Sequence, residues 1–267
     1  MQIAPPASLA SYIKHYIFLE NSENDIKKLR LFADGNTGLI ISSDIHIYED
    51  GLETNLPLSF FYGQPTKYKN LITKGSFSFI VVVFQPYFLN LLLGVSAREI
   101  QNQMITVEDV IKNDLQPFQE KLFYKVDPKV IINELNMYFT VFLSKKANSD
   151  HHLIKATQQY ILQNKGMLSL KDLEDFTGYS ERQLERKFDH YIGISPKKYS
   201  NITRLHYFLS LMKSRNTNEN ITALSYHAGY ADQSHLIKDF KNNTGLTPTQ
   251  YLKTQNKLAV NFIELAQ

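Results

Sequence analysis

The sequence predicts an α+β chain in two parts: a β-rich N-terminal domain and an all-helical C-terminal domain. Three features carry this reading. Short runs rich in β-branched and aromatic residues, separated by turn signals, fill the first half. Apolar residues at helical spacing fill the second half. That second half also matches itself at an offset of 51 to 52 residues. The divisions that follow are a β-rich part at 1–126, a connecting helix and linker at 127–149, and a helical part at 150–267. The last of these holds two helix-turn-helix units joined by a long helix.

In the first part the β-favouring runs are Tyr12–Leu19, Leu39–Ile47, Leu58–Tyr62 and Phe77–Phe84, with turn signals at Asp34-Gly35-Asn36 and Glu49-Asp50-Gly51. The 23 residues from Gly75 to Ala97 carry no charge, which is long enough for a membrane-spanning helix. Their order speaks against one. The first half is β-branched and aromatic, Gln85-Pro86 interrupts it, and a Leu-rich stretch containing Asn90 follows. A buried strand, a proline-initiated turn and a short helix account for these letters.

Asp127-Pro128 opens a helix with Ile131, Leu135, Tyr138, Phe139 and Phe142 on one face, a stripe that suits either a core or a dimer seam. Lys145 to Asp150 reads as a polar linker.

Beyond the linker comes the repeat. Leu170, Leu173, Gly178 and Tyr179 recur as Ile221, Leu224, Gly229 and Tyr230, 51 residues on. Leu184, Phe188, Gly193, Pro196 and Tyr199 recur as Leu236, Phe240, Gly245, Pro248 and Tyr251, 52 residues on. One extra residue in the second turn explains the slip, so the pattern is a structural duplication. In the first copy, Ser169 caps a short helix whose Leu173 and Phe176 are expected to face inward. Gly178 supplies the turn, and Ser180 with Gln183 forms a capping box for a second helix. Leu184 and Phe188 lie on its inner side and Arg182, Glu185 and Arg186 on its outer side. The second copy opens at Asn220, turns at Gly229 and caps its second helix with Asp232, leaving Gln233, Ser234, His235 and Lys238 outside. Pro196 to Lys213 forms the joining helix, with Tyr199, Ile202, Leu205, Leu209 and Met212 inward. In such units the second helix enters the major groove and its N-terminal side chains meet base edges.

Residues 150–253 resemble the DNA-binding domain of the AraC/XylS family of bacterial transcription regulators. The segments that carry the resemblance are Gly178-Tyr179-Ser180, Gly193-Ile194-Ser195-Pro196 with Tyr199, Arg204-Leu205, and above all GYADQSHLIKDFKNNTGLTPTQY at 229–251. The resemblance implies two helix-turn-helix units reading adjacent major-groove segments of double-stranded promoter DNA. The implied readers are Arg182, Glu185 and Arg186 in one unit and Gln233, Ser234, His235 and Lys238 in the other. Arg suits guanine, Gln suits adenine, and Lys238 suits a phosphate. Two positions depart from the family pattern: Glu174 stands where a small residue is usual, and Leu236 where an aromatic is common. The part ahead of the linker resembles the family's β-rich sensory or partner domains. The chain is therefore expected to be a transcription regulator, an activator, whose N-terminal domain senses a small molecule. The alternative is that this domain binds a protein partner and no small molecule. RNA polymerase and a second copy of the chain are further candidate partners.

Composition sets limits. The chain of 267 residues, 43% hydrophobic and 21% charged, is globular in character. The absence of cysteine excludes disulfides, thiolate zinc and a cysteine nucleophile, which also excludes a cysteine-dependent alkyl-transfer repair enzyme. Without a phosphate loop, HExxH or nucleophile elbow, no catalysis is expected. Met1 to Ala10 lacks the basic flank and apolar core of a signal peptide, so a cytoplasmic location is expected. Residues 150–267 hold 15 Lys/Arg against 11 Asp/Glu, a mildly basic balance compatible with DNA. His151-His152 lacks partners at metal-ligand spacing, and His46 stands alone before a turn, so neither is expected to hold a metal, and no cofactor is expected.

Overall fold

The computed structural model describes residues 1–22, 25–42, 47–52, 54–111, 115–124, 126–145, 151–214, 220–254, 257–259 and 261–265. His46 and most of the Lys145–Asp150 linker lie outside these residues.

The first half supplies strands β1 (Gln2–Ile3), β2 (Ile13–Asn21), β3 (Ile26–Leu31), β4 (Thr37–Ser42), β5 (Ile47–Glu49), β6 (Ser59–Tyr62), β7 (Lys69–Lys74), β8 (Phe77–Phe84) and β9 (Met104–Thr106). Helices α1 (Phe88–Leu93), α2 (Glu108–Ile111), α3 (Gln116–Phe123) and α4 (Pro128–Ser144) complete it. One antiparallel sheet runs β1-β2-β8-β4-β6-β9. Ile17, Leu19, Phe79 and Val83 on one of its faces pack against Leu29, Ile47 and Leu71 of the second sheet. Tyr16, Leu39, Ile41, Ile80, Val82 and Phe84 on the other pack against α1, α3 and α4.

The uncharged stretch is thereby explained. β8 is covered on both faces, so it reads as a continuous apolar run instead of an alternating one. It turns at Pro86 into the six-residue α1, and no helix among the described residues is long and apolar enough to cross a membrane. Asp127 caps α4 by accepting from the Lys129 amide at 2.9 Å. Ile131, Leu135 and Phe139 sink into the core, and Tyr16 donates to Asn136 Oδ1 at 2.8 Å. The stripe is thus core; the exposed apolar residues of α4 are Val130, Met137 and Val141, on a different face.

The second half is built of α5 (His152–Gln163), α6 (Leu170–Thr177), α7 (Glu181–Tyr191), α8 (Pro196–Ser214), α9 (Ile221–His227), α10 (Gln233–Thr244) and α11 (Pro248–Lys253). One feature departs from the all-helical expectation. Residues after α11 form β10 (Lys257–Ala259) and β11 (Phe262–Glu264), and β11 pairs antiparallel with β3. The second sheet is therefore β10-β11-β3-β7-β5, shared between the two ends of the chain.

Candidate nucleic-acid interface

Two short helices and two longer ones, α6–α7 and α9–α10, form the paired units, with α8 between them. Local chemistry sets each boundary. Ser169 and Asp172 make a reciprocal capping box at α6, and Gly178 ends that helix in the left-handed conformation, φ +72°. The Ser180 amide donates to Gln183 Oε1 at 3.0 Å at the start of α7. Asn220 accepts from the Thr222 amide at 3.0 Å to start α9, and Asp232 from the His235 amide at 2.7 Å to start α10. Gly245 ends α10 at φ +71°.

Leu184 and Phe188 of α7 and Leu236 and Phe240 of α10 are fully buried. They clamp each helix by its inner face onto α8, whose Tyr199 and Ile202 serve the first core and Leu205, Phe208, Leu209 and Met212 the second. Arg182, Glu185 and Arg186 are left exposed on α7, and Gln233, Ser234, His235 and Lys238 are left exposed on α10. The Thr222 hydroxyl donates to Gln233 Oε1 at 3.3 Å, which orients that amide, and the His235 ring meets Tyr230 edge-on at 5.4 Å. One groove runs between the two units, lined from the first by Ser169 and Leu173 at the start of α6, from α8 by Lys197, Asn201 and Arg204, and from the second by Gly229 and His235.

One expectation changes, and the departure at Glu174 is accounted for. Phe176 does not face inward: it is 47% exposed, and its ring stacks on Tyr160 at 4.0 Å. An eight-residue helix has room for one buried row, which Leu173 fills. Glu174 is paired, accepting from the Glu181 amide at 2.6 Å. The carboxylate that replaces the usual small residue thus satisfies an N-terminal amide of α7 across the turn, where the helix dipole favours a negative charge.

Sequence reasoning missed the residues between the units. Arg204 lies over the Tyr230 ring at 4.6 Å and donates to Asn201 Oδ1 at 3.2 Å. Tyr230 donates to Asp239 at 2.9 Å, and Asp239 accepts from Asn243 Nδ2 at 2.9 Å. Asn243 in turn accepts from Lys198 Nζ at 2.8 Å. Burial lowers the Lys198 ammonium below its usual range, while Asp239 opposes the shift. This chain of polar contacts ties α10 to the first half of α8, at Lys198 and at Arg204. Arg204 had been visible in the sequence only as part of the Arg204-Leu205 pair.

The N-terminal part touches both units at matching places. Past α7, the Ala97 amide donates to His190 O at 2.8 Å and the Gln101 side chain donates to Gly193 O. Past α10, Arg30 Nη1 donates to Thr244 O at 3.3 Å while its guanidinium lies over Tyr68 at 4.4 Å. Between them, His206 of α8 donates to Ala33 O at 2.9 Å through Nε2. Burial holds this imidazole below its usual pKa, against the pull of Asp34. His151 packs edge-on against Tyr191 at 4.9 Å and beside Tyr87 at 5.7 Å. Among the described residues no three His, Cys, Asp or Glu gather as a metal site.

Comparison with known proteins agrees with this geometry. Residues 173–254 match a family model described as a helix-turn-helix domain, and residues 1–106 match a domain of unknown function. An uncharacterized HTH-type transcriptional regulator of Staphylococcus aureus (strain MSSA476) is 31% identical over 84 residues, 32% of this chain and 11% of that protein. A counterpart of Haemophilus influenzae (strain ATCC 51907 / DSM 11121 / KW20 / Rd) is 29% identical over 85 residues, 28% of its length. The match thus spans a small part of these curated relatives. Among solved structures, ToxT from Vibrio cholerae O395 bound to (E)-4-(8-methylnaphthalen-1-yl)but-3-enoic acid superimposes with TM-score 0.51 at 13% identity, covering 89% of this chain and 97% of that one. Unsaturated fatty acid-bound ToxT from strain SCE256 gives TM-score 0.51 at 14% identity, covering 89% and 94%. At that identity the likeness is one of fold.

Proposed function

We propose that this chain, a DNA-binding transcription regulator of the AraC/XylS family, reads promoter DNA with Arg182, Glu185 and Arg186 of α7 and with Gln233, Ser234, His235 and Lys238 of α10. The observation that carries the reading is the pair of capped helices α7 and α10, each clamped by its inner face to α8 and each leaving every one of these side chains exposed. Arg182 or Arg186 can pair with guanine O6 and N7, and Gln233 with adenine through the amide that Thr222 orients. Lys238 meets a phosphate, and Lys197 and Arg204 supply positive charge to the groove between the units. Activation of transcription, a cytoplasmic location and the absence of catalysis belong to the same proposal, as does the division at 1–126, 127–149 and 150–267.

The β-rich part senses a small molecule in this reading. Support comes from an internal cavity of about 50 Å³ between the two sheets, lined almost wholly by apolar side chains. The fold likeness to ToxT, whose structures hold a fatty acid or a naphthalenyl butenoic acid, points the same way. The cavity's small size favours the second reading, a β-rich part that binds a protein partner only.

Footprinting of the full-length protein on its own upstream region tests the proposal. Full length matters because β11 of a 150–267 fragment would lose its partner strand. Protection over about two turns of DNA indicates one copy, and a doubled site indicates two. Binding should weaken steeply with salt, and Lys238→Ala should lower the slope by about one unit. Indifference to every DNA of its genomic neighbourhood would overturn the reading.

A further inference from the structure

We propose that residues 261–264 are a removable plug: they close an apolar ligand site between the two sheets, and a ligand with a long apolar body and an uncharged or cationic head displaces them. The proposal rests on the small-molecule reading of the β-rich part.

The cavity between the sheets is walled by Ile17, Leu29, Phe79 and Val83, and also by Asn261 and Phe262 from the far end of the described chain. Its volume of about 50 Å³ is close to that of a water molecule or two, whereas ligand sites usually need several hundred Å³. The filler is Phe262. Its ring is 7% exposed and stands edge-on to Phe79 at 6.3 Å, within the core shared by both sheets. A ligand that took the place of this ring would occupy the same apolar walls, so the site already holds a mimic of its ligand.

The plug is built to come away as a unit. β11 contributes three residue pairs to β3, Phe262 with Leu31, Ile263 with Arg30 and Glu264 with Leu29. The Phe32 amide donates to Asn261 O at 3.0 Å, Asn261 Nδ2 to Phe32 O at 3.2 Å, and the Leu265 amide to Lys28 O at 2.8 Å. β10 and β11 stand at one end of their sheet, so their departure leaves β3-β7-β5 paired. Strand alternation then transmits the event. While Phe262 points between the sheets, Ile263 is fully buried on the opposite side, in the cluster of Leu236, Phe240 and Tyr251 beneath α10. Withdrawal of one takes the other with it.

The head group follows from the polar lining. Asp34 is the one charged side chain among the described lining residues, joined by Ser42, Tyr62 and Asn261. Asp34 already accepts from Asn36 Nδ2 at 2.7 Å and from its amide at 3.1 Å. A hydroxyl or ammonium can donate to this carboxylate, whereas an acid head would be repelled by it.

Calorimetric titration of the full-length protein with 1-decanol, decylamine and decanoate tests this, with hydrogen exchange followed at 261–265 and 29–31. Decanol and decylamine should bind, decanoate about tenfold more weakly, and bound protein should lose exchange protection in both segments. Phe262→Ala should bind decanol about tenfold more tightly, because no ring has to leave. The exchange readout on the unsubstituted protein stands by itself if that variant does not fold. Unchanged protection at saturation, equal or better binding of decanoate, or no binding of any probe would each overturn the proposal. A protein that footprints its DNA yet takes up no probe loses the plug and keeps the DNA-binding reading. One that takes up decanol but ignores DNA loses the latter alone.

Discussion

Gly193→Ala should cost about 3–4 kcal/mol of stability, against about 1–2 kcal/mol for Gly178→Ala, and the difference measures how firmly the N-terminal part holds the first unit. Both glycines follow a helix in the left-handed region, at φ +87° and +72°, so alanine carries a similar backbone penalty at each. At Gly178 a new Cβ would meet nothing within 4 Å. At Gly193 it would lie 2.7 Å from Ala97 O and 3.0 Å from Ala97 C, both backbone atoms that cannot swing aside. The 94–101 segment must then retreat, weakening the bonds from Ala97 to His190 O and from Gln101 to Gly193 O. Each contributes about 0.5–1.5 kcal/mol. Gly245→Ala should fall between the two, because its new Cβ would meet the tips of Arg30 and Tyr68, which can move. Urea unfolding followed by circular dichroism gives the three values from midpoints at constant slope. Equal losses at Gly178 and Gly193 would refute the reasoning, since the clash with Ala97 would then carry no energy.

Gln233→Ala should lose about 1–3 kcal/mol of discrimination against a mutated site in competition binding, and Arg182→Ala less, because the Thr222 hydroxyl orients the Gln233 amide; equal losses would contradict this. Glu174→Ala should destabilise by about 1 kcal/mol through the uncapped α7 amide, as read by thermal unfolding; an unchanged midpoint would mean that water replaces the carboxylate at no cost. Stability should fall as pH drops from about 6.5 towards 4. Burial holds His206 below its ordinary 6.5 and lowers His15 to about 4, in each case with Lys14 adding to the shift and Asp34 opposing it. The unfolded chain therefore takes up protons first, so this contribution is complete above pH 6.5 and is lost as acid reaches the folded pKa values. A urea midpoint that is flat between pH 7 and 5, or that rises on acidification, would count against the burial of these rings.

The helical half was legible because its signals are local. Gly, Pro and capping residues recur at fixed offsets, and each fixes a boundary within a few residues of itself. The strands at β2, β4, β6 and β8 were legible from β-branched and aromatic runs, and the two-sided burial of β8 is the reason its run lacks alternation. β3 and β7 were not legible: with Lys27, Lys28, Arg30, Lys69 and Lys74 they read as polar chain, although Leu29 and Leu71 point into the core. The strands at 257–264 were hidden for a different reason. Their partner, β3, lies more than two hundred residues away, and no local pattern encodes a pairing of that kind. The repeat placed the candidate residues on the outer faces of α7 and α10 and the family resemblance implied their base-reading role, whereas the Lys198–Asn243–Asp239–Tyr230–Arg204 network depends on the helix packing that brings it together.

That distant pairing changes what the N-terminal part can do to α7 and α10. The duplication places Gly193 and Gly245 at equivalent points, and the N-terminal part bears on both, through Ala97 and Gln101 at one and through Arg30 and Tyr68 at the other. α7 and α10 are therefore held by α8 together with an external clamp of two jaws. The jaws differ in how they are held. Ala97 follows α1, which is packed into the first core, so that jaw is anchored in the interior. Arg30 belongs to β3, where it faces Ile263 of β11 across the sheet and is steadied by Asn70 at 2.8 Å. If the plug leaves, β3 becomes an edge, Ile263 leaves the core under α10, and the Arg30 bond to Thr244 O loses its neighbour on one side. Ligand entry would then loosen the second unit while leaving the first in place. The second unit would then be the one whose orientation answers to a bound ligand.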